Sequence, residues 1–296
     1  MQGRVASHHI AGEYPTGEQA PSTPLFDGIL LDQMSADMVT LMKAFIGRLH
    51  FTVGQLDNWQ VFPYLIGTGG TGKTIVQDVA AAGFSQATQA TLSVNQEERF
   101  GLDGKYNKYV LFGRDLPREM SKVLAQELLQ SMVTGEAVSV PRKGLLAENV
   151  QKWQVPFMFG SNHMPGDNGG QVSRRVAAFL FNNPITSPDE TLMKRIMENE
   201  LPSLMRQFLE TYLRLVTEHP GGNGFWSWCP EDLKASKREV EISTSFVRRF
   251  LSMTADDVEA LTEDGQRVFV EKLSGACTPV KDITAAYKEF MKKNHK

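Results

Sequence analysis

One eight-residue run limits this chain more than any other. Gly67-Thr68-Gly69-Gly70-Thr71-Gly72-Lys73-Thr74 fits G-x-x-x-x-G-K-[ST] at every constrained position. The apolar run Val61-Phe62-Pro63-Tyr64-Leu65-Ile66 precedes it, and a helix-like stretch, residues 74–82, follows. Strand, glycine loop, helix is the context such a loop requires. Glycines let backbone N–H groups converge on phosphate oxygens without Cβ interference, and the helix turns its positive end to the same anion. Lys73 is then expected to reach the β- and γ-phosphates of ATP and Thr74 to hold Mg²⁺. By itself the motif implies nucleoside triphosphate binding and leaves its purpose open.

Organisation follows from patterning around that loop. Residues 1–24 are rich in Gly, Pro, Ser and Thr and read as a flexible lead-in, with His8 and His9 solvated. From 25 to 58, Ile29, Leu30, Met34, Met38, Leu41, Met42, Phe45, Ile46 and Leu49 recur at three and four residues, the spacing of amphipathic helices. Between 59 and 184, further short apolar runs at 91–94, 109–112, 155–159 and 176–181 predict a sheet of parallel type with both faces covered. From 185 to 296 the chain reads as a helical C-terminal subdomain, opening at Ser187-Pro188-Asp189-Glu190 with Ser187 as cap and interrupted at Pro202. The expected fold class is therefore α/β: a P-loop NTPase core, AAA+-like, with flanking N-terminal helices and a helical C-terminal part.

Composition excludes several classes. Hydrophobic residues make up 41% and charged ones 22%, which rules out a disordered or collagen-like chain. With 31 Lys plus Arg against 34 Asp plus Glu, the formal charge of −3 offers no global field for a polyanion, so any nucleic-acid contact must be local. Two cysteines, Cys229 and Cys277, cannot carry a disulfide framework and point to a reducing intracellular compartment. No stretch approaches the roughly 18 apolar residues of a membrane span.

Four further elements carry candidate chemistry. Lys108-Tyr109-Val110-Leu111-Phe112-Gly113-Arg114-Asp115 is an apolar strand ending in an acid, so Asp115 is the candidate to organise Mg²⁺ from a neighbouring strand; alternatively it caps a helix opening at Pro117. Glu119 is more simply a first-turn acid than a water-polarising base. Val155-Pro156-Phe157-Met158-Phe159-Gly160-Ser161-Asn162 ends in an amide that can sense a γ-phosphate, or form an Asx turn before Pro165. Gly135-Glu136-Ala137-Val138-Ser139-Val140-Pro141-Arg142-Lys143-Gly144 has the shape of a hairpin with a basic tip, where Arg142 and Lys143 are candidate DNA contacts or a solvated turn. Ser173-Arg174-Arg175 heads the strand Val176-Ala177-Ala178-Phe179-Leu180-Phe181 with two guanidinium groups, suited to a transferring phosphoryl group or to a surface ion pair.

The order of these elements resembles a superfamily 3 helicase, and more narrowly the helicase domain of the poxvirus-type primase-helicases of large DNA viruses and some phages and plasmids. The matching segments are GTGGTGKT, YVLFGRDLP, GEAVSVPRKG, VPFMFGSNHMP and SRRVAAFLF, with weaker echoes in Glu98-Arg99-Phe100-Gly101-Leu102, Gly47-Arg48-Leu49 and Asp57-Asn58-Trp59-Gln60. The resemblance implies that Lys73, Asp115, Asn162 and Arg175 are catalytic, Asn162 as sensor and Arg175 as the finger entering an adjacent subunit's ATP site. It implies that Thr74 and Asp115 hold Mg²⁺ and that Lys143 follows single-stranded DNA in the pore of a homo-oligomeric ring, expected to be a hexamer. It implies work at a replication fork, with a primase as possible partner, at a viral replication site in the host cytoplasm or nucleus.

The chain departs from that pattern in carrying Gly113-Arg114 before a single acid, which leaves the water-activating group open; the residues before Trp59 are too few for a primase domain, so a stand-alone helicase, a fragment or one half of a split gene is expected. The Trp226-Ser227-Trp228 cluster reads as an anchor of the helical part rather than a stacking platform for bases. Two other readings of the P-loop remain: a small-molecule kinase acting as a monomer, and a nucleotide-gated assembly factor that binds ATP with little turnover.

Overall fold

The computed structural model describes residues 15–17, 21–92, 101–165, 173–220, 224–243 and 287–288. His8, His9, Glu98, Arg99, Phe100, Cys277 and the basic C-terminal tail lie outside the described residues.

The sheet has five parallel strands: β1 (Phe62–Ile66), β2 (Gln89–Leu92), β3 (Val110–Gly113), β6 (Phe157–Ser161) and β7 (Val176–Leu180), in the order β2-β3-β6-β1-β7; each overlaps one of the expected apolar runs, and residues 93–94 of the run at 91–94 lie outside the described residues. A separate antiparallel pair, β4 (Val138–Val140) and β5 (Glu148–Val150), lies between β3 and β6 in the chain. The sheet runs read as near-continuously apolar because both faces are covered. Along β1 the alternation is still visible: Phe62, Tyr64 and Ile66 enter one core, and Leu65 the other.

The first core is closed by α1 (Pro24–Leu31), α2 (Ala36–Arg48), α3 (Lys73–Ala82), α5 (Leu192–Asn199) and α6 (Leu201–Glu218). Helices from both ends of the chain thus share one apolar interior with the sheet. Gly47 permits this on α2, since a Cβ there would lie 2.0 Å from the Phe208 carbonyl oxygen of α6. The second core is closed by the 101–109 segment, α4 (Gln126–Thr134), the β4–β5 pair and Val240 of α8 (Glu231–Ser243).

The two weak echoes before the P-loop meet in a buried ion pair. Arg48 donates from Nε and Nη2 to Asp57 at 2.7 and 2.8 Å and from Nη1 to the Val61 carbonyl at 2.7 Å. The Tyr212 hydroxyl of α6 and the Trp59 amide also donate to Asp57, at 2.6 and 2.9 Å. Burial alone would raise the Asp57 carboxyl; the Arg48 guanidinium and these hydrogen bonds outweigh it and hold the carboxyl below its ordinary value.

One local expectation is corrected, and the tryptophan cluster packs as expected. The helix expected to open at Ser187 begins at Leu192; its first turn is preceded by Thr191, whose amide and hydroxyl donate to Asp189 at 2.8 and 2.6 Å. Ser187 and Pro188 belong to the loop leaving β7, where Pro188 lines a cleft. Tryptophans 226 and 228 pack on the first core around Trp59 and Phe225, so this cluster anchors short helix α7 (Phe225–Trp228).

Candidate nucleotide site

The phosphate loop leaves β1 at Ile66 and enters α3 at Lys73. Gly70 and Gly72 have φ of 76° and 91°, a left-handed backbone that other residues rarely adopt. Gly72 is the N-cap of α3, and a Cβ on it would lie 2.8 Å from Ile29 Cγ2 of α1. The Thr71 hydroxyl donates to the Thr68 carbonyl at 2.9 Å and braces the loop from within.

Lys73 is 8% exposed and folds back across the loop. Its ammonium donates to the Gly67 and Thr68 carbonyls, each at 2.6 Å. Burial lowers its pKa below that of a free lysine, and the Asp115 charge partly offsets this. A cation held by its own loop's carbonyls is poised to exchange them for phosphate oxygens.

Across the cleft stand Asp115 and Asn162, at the ends of β3 and β6. These strands are hydrogen-bonded neighbours, and Asn162 Nδ2 donates to Asp115 Oδ1 at 2.8 Å. Asp115 has φ of 51°, unusual for a residue with a side chain. No helix opens at Pro117; a single 3₁₀ turn occurs at Met120–Lys122, so Asp115 is not a helix cap. Because β6 lies between β1 and β3, the acid comes from the second strand away from the P-loop strand, not the adjacent one. Gln77 of α3 crosses that gap and donates to the Gly113 carbonyl at 3.2 Å.

The cleft so formed is about 480 Å³, lined by Gly69 to Thr74, Arg114, Asp115, Asn162, Ile185 and Pro188 among others. Thr74 and Asp115 face it together and could hold Mg²⁺, which takes few protein ligands and fills its shell with phosphate oxygens and water. Arg114 is paired with Asp78 of α3, and Glu119 with Lys122 at 2.6 Å. Glu119 does not line the cleft.

The remaining candidates lie elsewhere. Arg174 and Arg175 precede β7 at the end of the sheet opposite the P-loop, a separation of about 17 Å along five residues of strand. Arg174 is exposed and Arg175 half-buried, its Nη1 3.4 Å from Gln60 Oε1 and its Nε without an acceptor among the described residues. Burial, then the charge of Arg174, lowers the Arg175 pKa. The expected hairpin forms, with residues 141–147 at its tip. Arg142 lies between Glu148 and Asp103, at 3.3 and 3.9 Å, and Lys143 is exposed beside Leu145 and Leu146. Sequence reasoning missed Ile185, Pro188 and Gln77, for which no local pattern exists.

Residues 65–175 match a family described as "Family of unknown function (DUF5906)"; that interval begins inside β1 and ends at Arg175, so it holds the P-loop, both strand-end residues and the hairpin. Three apo structures of the NrS-1 C-terminal region are similar to this chain. Its fold resembles theirs. The TM-scores are 0.54, 0.53 and 0.50 at 15%, 17% and 18% identity, over 93%, 94% and 86% of this chain. It spans 69%, 68% and 60% of those chains, and at these identities the likeness is one of fold. No curated protein matches. Among the described residues no helix is long and apolar enough to cross a membrane.

Proposed function

We propose that this chain is the ATPase motor of a superfamily 3 type DNA helicase, coupling Mg-ATP hydrolysis between subunits to movement along single-stranded DNA in viral genome replication. The observation that carries the reading is the single cleft in which the Lys73 loop faces the hydrogen-bonded Asp115–Asn162 pair. On binding, Lys73 leaves the Gly67 and Thr68 carbonyls for phosphate oxygens. Thr74 and Asp115 would hold Mg²⁺, which would supply neutralisation of the triphosphate's charge. Asn162 donates to Asp115 at the same cleft wall, so its amide would be placed to hydrogen-bond a γ-phosphate and to lose that partner on hydrolysis.

Arg175 cannot serve the P-loop of its own sheet from the opposite end. In a head-to-tail ring it would enter a neighbour's site, and the Arg142–Lys143 tips would gather around one axis into a collar for a nucleic-acid backbone. This answers the charge of −3: the positive field is local and multiplied by symmetry. Such a motor would act inside the host cell, beside a primase supplied by another domain or chain.

Purified protein should hydrolyse ATP faster with single-stranded DNA, and Lys73→Ala should abolish turnover. Mixing Lys73→Ala with Arg175→Ala should restore part of it, because one intact site is assembled from two defective chains. A rate indifferent to DNA, with no restoration on mixing, would refute the motor.

A further inference from the structure

If the triphosphate lies as proposed, its direction in the cleft is set. The γ-phosphate belongs at the Asp115–Asn162 end, so the nucleoside lies at the other, where the lining turns apolar with Ile185 and Pro188. These residues sit on the loop leaving β7, and that loop is tied down. The Ile185 amide donates to the Gly70 carbonyl of the phosphate loop at 2.9 Å. Two residues earlier, Asn183 is clasped by the turn between α1 and α2. Gln33 Nε2 donates to its carbonyl at 2.7 Å, its amide donates to Gln33 Oε1 at 3.0 Å, and its Nδ2 donates to the Asp32 carbonyl at 2.5 Å. Ile29 of the same α1 packs against Gly72.

We propose that Ile185, with Pro188, forms the wall against which the base of the bound nucleotide lies, and that the Gln33–Asn183 clasp holds this wall at its distance from the phosphate loop. Ile185 is 38% exposed, an apolar side chain left partly open at the mouth of a cleft. A base laid on it is recognised by its flat apolar face, since Ile185 and Pro188 offer no side-chain donor or acceptor to the base edge. The N-terminal helices thereby become part of the nucleotide site. Gln33 is a positioning residue: it acts through Asn183 and touches no ligand.

The inference rests on the P-loop reading, and the test separates the two. Binding of a non-hydrolysable ATP analogue and of inorganic tripolyphosphate, each with Mg²⁺, is measured calorimetrically on the full chain. Ile185→Ala should weaken the ATP analogue about tenfold, in line with loss of two to three partly buried methyl or methylene groups, and leave tripolyphosphate unchanged. Gln33→Ala should lower the same affinity ratio by a smaller factor. Tripolyphosphate serves as the folding control, since it needs the loop but not the wall. Equal losses for both ligands, or none for either, overturn the wall assignment. Wild-type protein that binds neither ligand overturns the P-loop reading and this inference with it.

Discussion

Replacing Asp57 with asparagine tests how the N-terminal helices are held to the core. The Asp57 side chain is 3% exposed and that of Arg48 14%, so neither charge is screened by bulk water. Asp57 accepts four hydrogen bonds, two from Arg48 and one each from Trp59 and Tyr212. Asparagine keeps the shape and removes the charge, leaving the guanidinium buried without its counter-ion. Breaking such a pair from one side costs about 3–5 kcal/mol. For a chain of this size each kcal/mol moves the midpoint by about 2–4 °C, so Tm should fall by about 6–20 °C. The pairing depresses the Asp57 pKa, so its contribution is complete above the ordinary carboxylate range and is lost as pH falls below it. The gap between wild type and Asp57→Asn should therefore begin to narrow below about pH 4 and be smaller at pH 3 than at pH 7. Thermal unfolding at pH 7 and pH 3 measures both effects. The double change Arg48→Met, Asp57→Leu should recover stability, because an apolar pair leaves no unpaired charge. A Tm shift under about 2 °C at pH 7, or a double variant worse than the single one, would refute the reasoning.

Two other perturbations follow from the same packing. Burial pushes His50, stacked on Phe84 at 4.5 Å, down to a pKa of about 4. Between about pH 6.5 and 4 the unfolded chain binds a proton there that the folded chain refuses, so stability should fall as pH drops through that window, by roughly 2–3 kcal/mol; in His50→Phe this part of the pH dependence should vanish in denaturant titrations. Gly67→Ala would put a Cβ 2.0 Å from the Phe181 carbonyl oxygen, with no flexible atom to yield. A loss of about 2–4 kcal/mol together with loss of nucleotide binding is expected, and a variant with wild-type melting and affinity would show that the loop is not wedged against β7.

Those elements whose physics is local were legible in the sequence. The phosphate loop could be read because its glycines and Lys73 must follow one another at fixed spacing, and the strands because burial on both faces leaves unbroken apolar runs. The hairpin could be read from the alternation Val138-Ser139-Val140 ending in Pro141 and a basic turn. Strand order was not legible, because insertion of β6 between β1 and β3 is settled by packing between segments some fifty residues apart or more. The misplaced start of α5 has a similar cause. Ser187-Pro188-Asp189-Glu190 has the composition of a helix opening, but its backbone is drawn into the loop that returns to Gly70. The Arg48–Asp57 pair gave no chemical signal: it joins two ordinary surface-type residues nine positions apart, and only Tyr212, 155 positions beyond Asp57, completes it.

Strand β7 has a mechanical consequence. At its head is Arg175; just past its tail, Phe181 donates its amide to the Ile66 carbonyl at 2.7 Å and touches Gly67. Five residues of sheet, paired along their whole length to β1, do not stretch or buckle. The strand is thus a short strut with a phosphate cradle bolted to one end and a guanidinium to the other. A shift of the backbone at the head of the strand is carried to the cradle through continuous hydrogen-bonded sheet, with no loop between them.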